Sequence, residues 1–235
     1  MTVSKELTPY SLLESITLHD LDKDESFNAT NLWQDKPTVV LVVRRPGCLF
    51  CREQAILLRQ HRDFLEQRMG FRVLAVVHEQ LGAHEFNEYW NGELYWDKDK
   101  GFYAALGGGK PRVASMSNFL KLGMWTSMYR SLVKSGVNGN LQGDGFHYGG
   151  LYVLRQGSGG PVYEYREQSF GDLVPLSELF TACATIANIA EEDRLTLNKI
   201  VSEQQQLEKN QHAGGIITSG TMDKAVKCDQ DACFK

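Results

Sequence analysis

Length, composition and charge limit what this chain can be. Its 235 residues, 42% of them apolar and 23% charged, are enough to bury one ordinary globular core and leave some chain for an appendage. The net charge of −4 and the lack of any block rich in Lys and Arg argue against nucleic-acid binding, because clustered cations supply most of the affinity for phosphate. No apolar run reaches the roughly 18 residues that a membrane span needs, so we expect no membrane-spanning segment.

The first third of the chain predicts a β-α-β unit. Residues 15–18 form a short strand candidate followed by a polar turn, which together predict an N-terminal hairpin. The apolar run at 38–43 shows no solvent-facing alternation and therefore predicts a buried central strand. Apolar positions at near-helical spacing continue to Gly70, and a second apolar run at 71–77 predicts a parallel neighbouring strand.

The alternation continues, is interrupted, and then resumes. A short helix, a short strand and another helix are predicted at 82–89, 92–96 and 101–106, with Asp97 or Asp99 as the N-cap of the last. We interpret residues 107–145 as an insertion or lid that contains a helical stretch at 119–132. The domain is then predicted to close with a β-hairpin at 146–154 and 162–166 and a helix at 175–189.

These elements predict one domain over residues 1–190. Residues 191–235 are rich in Glu, Gln and Gly and contain few aromatic side chains. We expect them to form a polar tail that is mostly disordered beyond a possible helical extension.

Cys48 and Cys51 lie where the strand at 38–43 turns into the following helix. A helix N-terminus stabilises an anion, so a thiol there ionises more readily than a free thiol, whose pKa is about 8.5. The C-x-x-C spacing also lets two thiols close a disulfide, and this pattern near a β-α-β unit is typical of thioredoxin-like redox proteins. We therefore predict Cys48 and Cys51 as the catalytic residues, with Arg44, Arg45 and Arg52 as nearby positive charges.

Other interpretations of the cysteines are weaker. A zinc site needs four ligands, and the other closely spaced pair, Cys228 and Cys233, lies in the predicted tail, where we expect incidental thiols. Inert burial is less typical of a cysteine that follows Pro-Gly at a strand end. Five cysteines are an odd number, which fits a reducing compartment better than a disulfide framework, so we expect a soluble cytoplasmic protein.

Four blocks of sequence, in order and at matching spacing, resemble the peroxiredoxin-like 2 family, most closely its 2A branch; a sister branch comprises the prostamide/prostaglandin F synthases. The blocks are Arg44 to Glu53; Gly92 to Tyr95 with Asp97, Phe102 and Tyr103; Gly139 to Phe146 with Gly149 and Gly150; and Tyr165 to Glu167 with Phe170 to Asp172. The resemblance covers residues from about 30 to 190. It implies an α/β, thioredoxin-like fold with a central mixed sheet flanked by helices and a helical insertion before the last β-hairpin.

The resemblance also implies a function. It points to a thiol-dependent oxidoreductase with an antioxidant or redox-regulatory role, using a Cys48/Cys51 dithiol–disulfide cycle on a peroxide or related oxidised substrate. It implies no bound cofactor; the electrons would come from a thiol reductant such as thioredoxin or glutathione, and ultimately from NADPH. Two alternatives are a prostaglandin endoperoxide reductase with an apolar pocket built partly from 113–132, and a non-catalytic redox-sensing interaction protein.

Which cysteine attacks first is open at this point. Peroxiredoxins read P-x-x-x-T-x-x-C, and with Cys51 aligned on the final cysteine, Cys48 replaces the threonine and Arg44 replaces the proline. This alignment favours Cys51 as the attacking sulfur and Cys48 as its resolving partner, whereas thioredoxins favour the first cysteine. From the late hairpin we expect Arg166, or else Arg155, to be the cation nearest the thiolate.

Overall fold

The computed structural model describes residues 6–23, 25–114 and 137–212, and within them one sheet of seven strands forms in the order β2-β1-β5-β4-β3-β6-β7. The strands are β1 (Thr17–Asp20), β2 (Ser26–Asn28), β3 (Thr38–Val43), β4 (Arg72–Val77), β5 (Glu93–Trp96), β6 (Gly150–Leu154) and β7 (Pro161–Arg166). The helices are α1 (Leu49–Arg59), α2 (Ala83–Trp90), α3 (Gly101–Leu106), α4 (Leu176–Ala184) and α5 (Glu191–His212). The predicted order of strands and helices is confirmed for these residues.

Strand β3 is the centre of the sheet. It pairs in parallel with β4, with Val39 opposite Val73, and in an antiparallel sense with β6 on its other side. All six of its residues are buried, as expected for a strand covered on both faces. Successive side chains point to opposite faces, so Val39 packs in the core under α1 and α4, whereas Val40 packs in the core under α3.

The helix predicted after β3 is shorter than its periodicity suggested. Helix α1 ends at Arg59, and a π-helical turn at Phe64–Arg68 follows before the chain reverses at Gly70. Leu65 lies within this widened turn and Met69 directly follows it, and both are buried in the core. The apolar spacing therefore indicated the buried face correctly, although the chain achieves it with two helical pieces.

Regular structure continues past residue 190, where we expected the ordered domain to end. Helix α5 extends to His212, and its Leu197 is 6% exposed in the main core. Glu208 accepts hydrogen bonds from the backbone N–H and the hydroxyl of Ser177 in α4, at 3.1 and 2.5 Å. The possible helical extension thus exists because a few apolar positions at helical spacing pack on the domain in spite of a polar average composition.

Two predictions fall outside the described residues. These are the helical stretch at 119–132 and the tail beyond residue 212, which includes Cys228 and Cys233. Among the described helices, none is both long enough and apolar enough to cross a bilayer.

Candidate active site

The two predicted site cysteines lie together at the carboxyl end of β3. Cys48 is the N-cap of α1, with an extended backbone at φ −73° and ψ 125°, and its carbonyl accepts the first helical hydrogen bond from Arg52 N–H at 3.0 Å. Cys51 lies on the first turn of α1. Both thiols are free rather than joined in a disulfide; Cys48 is 2% exposed and Cys51 is partly exposed. The structure therefore holds the pair in its reduced form.

Arg44 is the cation that contacts the dithiol. Its Nη2 donates a hydrogen bond to Sγ of Cys48 at 2.7 Å, and its Nη1 donates to the carbonyl of Gly145 at 3.0 Å. Its Nε lies 3.3 Å from Oε1 of Glu167, and its guanidinium carbon lies 4.3 Å from the centre of the Phe170 ring. Contacts with Gly145, Glu167 and Phe170 thus fix the guanidinium in a position where Nη2 hydrogen-bonds the Cys48 sulfur.

This arrangement separates the two thiols electrostatically. Burial alone would raise the pKa of Cys48, but the hydrogen bond with the Cys51 thiol and the positive charge of Arg44 lower that pKa to about 5. The pKa of Cys51 is raised, chiefly because its proton is held in the hydrogen bond to Cys48 and also because it is enclosed. The pair therefore carries one negative charge near neutral pH, and that charge is on Cys48.

Glu167 is the second acidic group of the site. It directly follows β7 and is 7% exposed; its Oε2 accepts a hydrogen bond from the backbone N–H of Gly149 at 2.9 Å. Burial raises the pKa of Glu167 to about 7, although the charge of Arg44 and the Gly149 N–H act in the opposite direction. Arg44 consequently serves two acidic groups, the Cys48 thiolate and the Glu167 carboxyl.

Neither of the cations expected from the late hairpin contacts the thiolate. Arg166 forms an ion pair with Glu164 and also donates to the carbonyl of Glu6. Because side chains alternate along a strand, Arg166 points away from the face that carries Glu167. Arg155 follows β6 at the end of the hairpin remote from Cys48, where its N–H donates to the carbonyl of Gly160.

Residues 137–147 of the insertion, which we call the strap, cross the C-x-x-C turn. Arg45 donates to the carbonyl of Asn140 at 2.7 Å and Arg52 donates to the carbonyl of Asn138 at 2.8 Å. The N–H of Asn140 in turn donates to the carbonyl of Gly47 at 2.8 Å. The arginines around the motif therefore hold the strap in place as well as adding positive charge.

Two glycines allow the strap to approach this closely. A Cβ at Gly47 would lie 2.0 Å from Oδ1 of Asn140, and a Cβ at Gly139 would lie 2.9 Å from the backbone nitrogen of Leu49. A larger residue at Gly139 would meet backbone and push the strap away from the turn, whereas at Gly47 it would displace the Asn140 side chain. Cys48 itself is buried in a cluster with Phe50, Ala114, Tyr148 and Phe170.

A small cavity of about 30 Å³ opens beside the dithiol. Its walls include Arg44, Cys51, Tyr165, Glu167 and Val174. A volume of this size accommodates about two water molecules, or an oxidant of similar size. Cys51 and the buried carboxyl of Glu167 therefore line the same partly open cavity, whereas Cys48 reaches it only through Arg44, which hydrogen-bonds its sulfur.

Comparison with known proteins is informative once this geometry is known. A family model described as "AhpC/TSA antioxidant enzyme" matches residues 57–169, a range that begins after both cysteines of the motif. The protein named Peroxiredoxin-like 2A from Gallus gallus is 36% identical over 184 residues, which cover 77% of this chain and 80% of the relative. Its namesake from Homo sapiens is 37% identical over 177 residues, covering 74% and 75%. This chain belongs to the peroxiredoxin-like 2A family.

The family resemblance predicted from the sequence is thereby confirmed, as is the thioredoxin-like fold. Among solved structures, peroxiredoxin Q from Xanthomonas campestris aligns with a TM-score of 0.47 at 9% identity, over 77% of this chain and 94% of that one. A reduced peroxiredoxin from Vibrio vulnificus in complex with hydrogen peroxide aligns with a TM-score of 0.44 at 15% identity, over 77% and 99%.

The sequence alone does not single out two residues of the site. It predicts Arg44 only as one of three nearby cations, and Glu167 only as part of a family-like block. A usable signal exists in the alternation of β7, where Tyr163, Tyr165 and Glu167 share one face. Both tyrosines pack against the core that α1 covers, so the carboxyl that follows them falls on the side of the dithiol.

Proposed function

We propose that this protein is a thiol oxidoreductase that reduces a small peroxide or a related oxidised substrate through a dithiol–disulfide cycle of Cys48 and Cys51. The observation that carries the proposal is the hydrogen bond of 2.7 Å from Arg44 to Sγ of Cys48. It favours the thiolate, and the thiolate is the form of cysteine that attacks peroxides and disulfides. Membership of a peroxiredoxin-like family supports the same chemistry.

The cycle has three steps. The Cys48 thiolate attacks a peroxide oxygen, so that an S–O bond forms, the O–O bond breaks and the leaving oxygen takes up a proton. The Cys51 sulfur then attacks the resulting sulfenic acid, a disulfide forms and water leaves. An external thiol reductant, such as thioredoxin or glutathione supplied with electrons from NADPH, restores the dithiol by exchange.

This order assigns the attack to Cys48, whereas the peroxiredoxin alignment favours Cys51. The reason is that Arg44 hydrogen-bonds Cys48, and the pKa of Cys48 is lowered while that of Cys51 is raised. A protonated Cys51 one helical turn away suits the resolving role. The small cavity and the covering strap also favour a small oxidant.

Catalytic turnover with a regenerating thiol reductant tests the proposal. Peroxide consumption is measured with thioredoxin, thioredoxin reductase and NADPH for the wild type and for Cys48→Ser, Cys51→Ser and Cys183→Ala. Cys183 is fully buried in α4 and burial raises its pKa, so its replacement serves as the control and keeps turnover. We expect Cys48→Ser to be inactive and Cys51→Ser to accumulate a sulfenic acid on Cys48, seen by mass spectrometry.

Two results would contradict the proposal. One is a sulfenic acid that forms on Cys51 at the wild-type rate in Cys48→Ser. The other is a wild-type protein that consumes neither peroxide nor prostaglandin endoperoxide but binds a partner protein in only one state of its Cys48–Cys51 disulfide. That result would make it a redox sensor.

A further inference from the structure

Glu167 is a buried carboxyl that shares its closest cation among the described residues with another acidic group. Its Oε1 lies 3.3 Å from Nε of Arg44, while Nη2 of the same guanidinium hydrogen-bonds the Cys48 sulfur. An uncompensated buried charge costs several kcal/mol. One guanidinium therefore faces two groups that compete to be its counter-ion.

Peroxide reduction also poses a problem of protons. Converting a hydroperoxide to an alcohol and water requires two electrons and two protons. In the reduced site the two electrons come from the sulfurs, but the dithiol holds a single proton, on Cys51, because Cys48 is a thiolate. A second proton has to come from another group or from bulk solvent.

We propose that Glu167 supplies this second proton, holding it while Cys48 is a thiolate and giving it to the leaving oxygen of the peroxide. This inference rests on the proposed dithiol cycle. In the balanced reaction, the Cys48 thiolate, the Cys51 thiol, protonated Glu167 and ROOH become the Cys48–Cys51 disulfide, the Glu167 carboxylate, ROH and water. The negative charge of the site moves from sulfur to carboxylate, and Arg44 neutralises it in both states.

The cavity provides the route for the proton. Glu167, Cys51 and Arg44 line the partly open cavity of about 30 Å³, and Arg44 hydrogen-bonds the Cys48 sulfur. A water molecule or a small oxidant in this cavity can reach both proton donors. The two proton donors, Cys51 and Glu167, therefore line the same cavity.

The groups around Glu167 leave it as the one suited to exchange protons near neutral pH. The titratable and charged groups that face it are Arg44, Cys48, Cys51, Tyr165 and Asp172. Arg44 stays charged, and burial together with Asp172 raises the pKa of Tyr165 so that it keeps its proton. Burial raises the pKa of Glu167 to about 7, and the Cys48 thiolate contributes to the increase.

Oxidation should reverse part of this shift. When the disulfide forms, the thiolate charge disappears and Arg44 interacts with Glu167 alone. The pKa of Glu167 then falls, and the carboxyl stays ionised until the disulfide is reduced. Reduction of the disulfide and protonation of Glu167 are consequently linked.

The test is the midpoint potential of the Cys48/Cys51 couple as a function of pH, measured by equilibration with a thiol redox buffer. Between the pKa values of about 5 for Cys48 and about 7 for Glu167, the wild type takes up two protons per two electrons; above about 7 it takes up one. We expect the slope of potential against pH to halve near 7. Glu167→Gln should show the smaller slope on both sides of pH 7, down to about 5. Below pH 7, its disulfide formation with peroxide should be on the order of 10²-fold slower than in the wild type.

Glu164→Gln is the matched control, since Glu164 is a buried carboxyl three residues before Glu167, in β7, that pairs with Arg166 on the opposite face of the sheet. It should keep the wild-type change of slope. Titration of the thiolate absorbance in Glu167→Gln separates proton supply from a structural role: the pKa of Cys48 stays low if Glu167 supplies protons and rises if Glu167 only positions Arg44.

The outcomes separate the two proposals. A wild type that forms no Cys48–Cys51 disulfide with peroxide would overturn the dithiol cycle itself. A wild type that forms the disulfide while Glu167→Gln keeps the halving slope and the normal rate would overturn only the role of Glu167.

Discussion

Strand β7 and the residue that follows it carry two buried glutamates, each paired with an arginine, on opposite sides of the sheet. On one side Glu164 pairs with Arg166, and its Oε2 accepts from the backbone N–H of Thr8 at 2.8 Å and from the Thr8 hydroxyl at 2.6 Å. This pair ties the N-terminal segment to the hairpin. On the other side, Glu167 pairs with Arg44. The two pairs use the same chemistry, but only the second has a sulfur as a competing anion.

The two ion pairs differ in whether the arginine also contacts a second acidic group. Glu164 and Arg166 pair with each other and no thiolate competes for that guanidinium, so protonation of Glu164 is not coupled to the charge of a sulfur. Around Arg44, the thiolate and Glu167 share one guanidinium, so a change of charge on either acidic group alters the pKa of the other. The alternation of side chains along β7 separates the two environments.

Removal of the two arginines should give the sharpest contrast. Arg44→Met leaves Cys48 and Glu167 without their cation, so we expect the pKa of Cys48 to rise and alkylation of Cys48 by iodoacetamide below neutral pH to slow by about 10²-fold. Both variants leave a buried glutamate without its arginine, so each should lose on the order of 3–5 kcal/mol in the free energy of unfolding. In Arg166→Met, however, the alkylation rate of Cys48 should stay unchanged. Denaturant unfolding and mass-resolved alkylation measure the two effects. Equal alkylation rates in both variants would remove the distinction between the two sides of β7.

The strap crosses the C-x-x-C turn on the dithiol side, and this contact can be broken with a smaller change. Gly139→Ala places a Cβ 2.9 Å from the backbone nitrogen of Leu49, the residue after Cys48, so the strap must move away from the turn. We expect Cys48 to react about tenfold faster with a bulky disulfide reagent, at a cost of about 1–3 kcal/mol in the free energy of unfolding. Gly145→Ala is the control in the same strap, because its Cβ comes no closer than 3.5 Å to another group. An unchanged rate for Gly139→Ala would mean that the strap does not limit access to Cys48.

The pH dependence of stability should show the smallest effect. The pKa of Glu167 is raised to about 7 in the folded protein, so folding binds a proton there and stability falls as pH rises from the ordinary value of 4.5 towards 7. The lowered pKa of Cys48, about 5 against a usual 9.0, acts in the opposite direction between those values. In reduced Glu167→Gln, stability should therefore rise with pH from about 5 more steeply than in the wild type, by up to about 1.4 kcal/mol per pH unit. Unfolding of the reduced proteins in urea measures this, and Glu164→Gln should follow the wild type.

Much of the fold can be predicted from the sequence because its central strands are buried on both faces. The runs at 38–43 and 71–77 are continuous and apolar, which indicates parallel strands, and the turn between strand and helix then places Cys48 and Cys51. The N-cap of α3 is Lys100 rather than the predicted Asp97 or Asp99, but the Asp97 carboxylate does accept hydrogen bonds from the N–H groups of Gly101 and Phe102, at 2.7 and 2.9 Å.

The electrostatics of the site are harder to predict because they depend on contacts distant in sequence. Arg44, Arg45 and Arg52 are close together in the chain, and nothing local distinguishes the one that bonds the sulfur from the two that hold the strap. The pairing of Arg44 with Glu167 requires knowing that the antiparallel β6–β7 hairpin returns beside β3. Our proposal of Cys48 as the nucleophile follows from the contact of its sulfur with Arg44, which an alignment with peroxiredoxins does not contain; that alignment favours Cys51.

The most direct test of the account is a pH titration of the reduced protein in which the ionisation of each cysteine is followed separately, by mass-resolved alkylation at a series of pH values. The account predicts that Cys48 ionises first, with a pKa of about 5, while Cys51 keeps its proton through neutral pH. If Cys51 ionised first, or if both thiols titrated near the ordinary cysteine value, Arg44 would not create the thiolate and the assignment of Cys48 as nucleophile would be wrong.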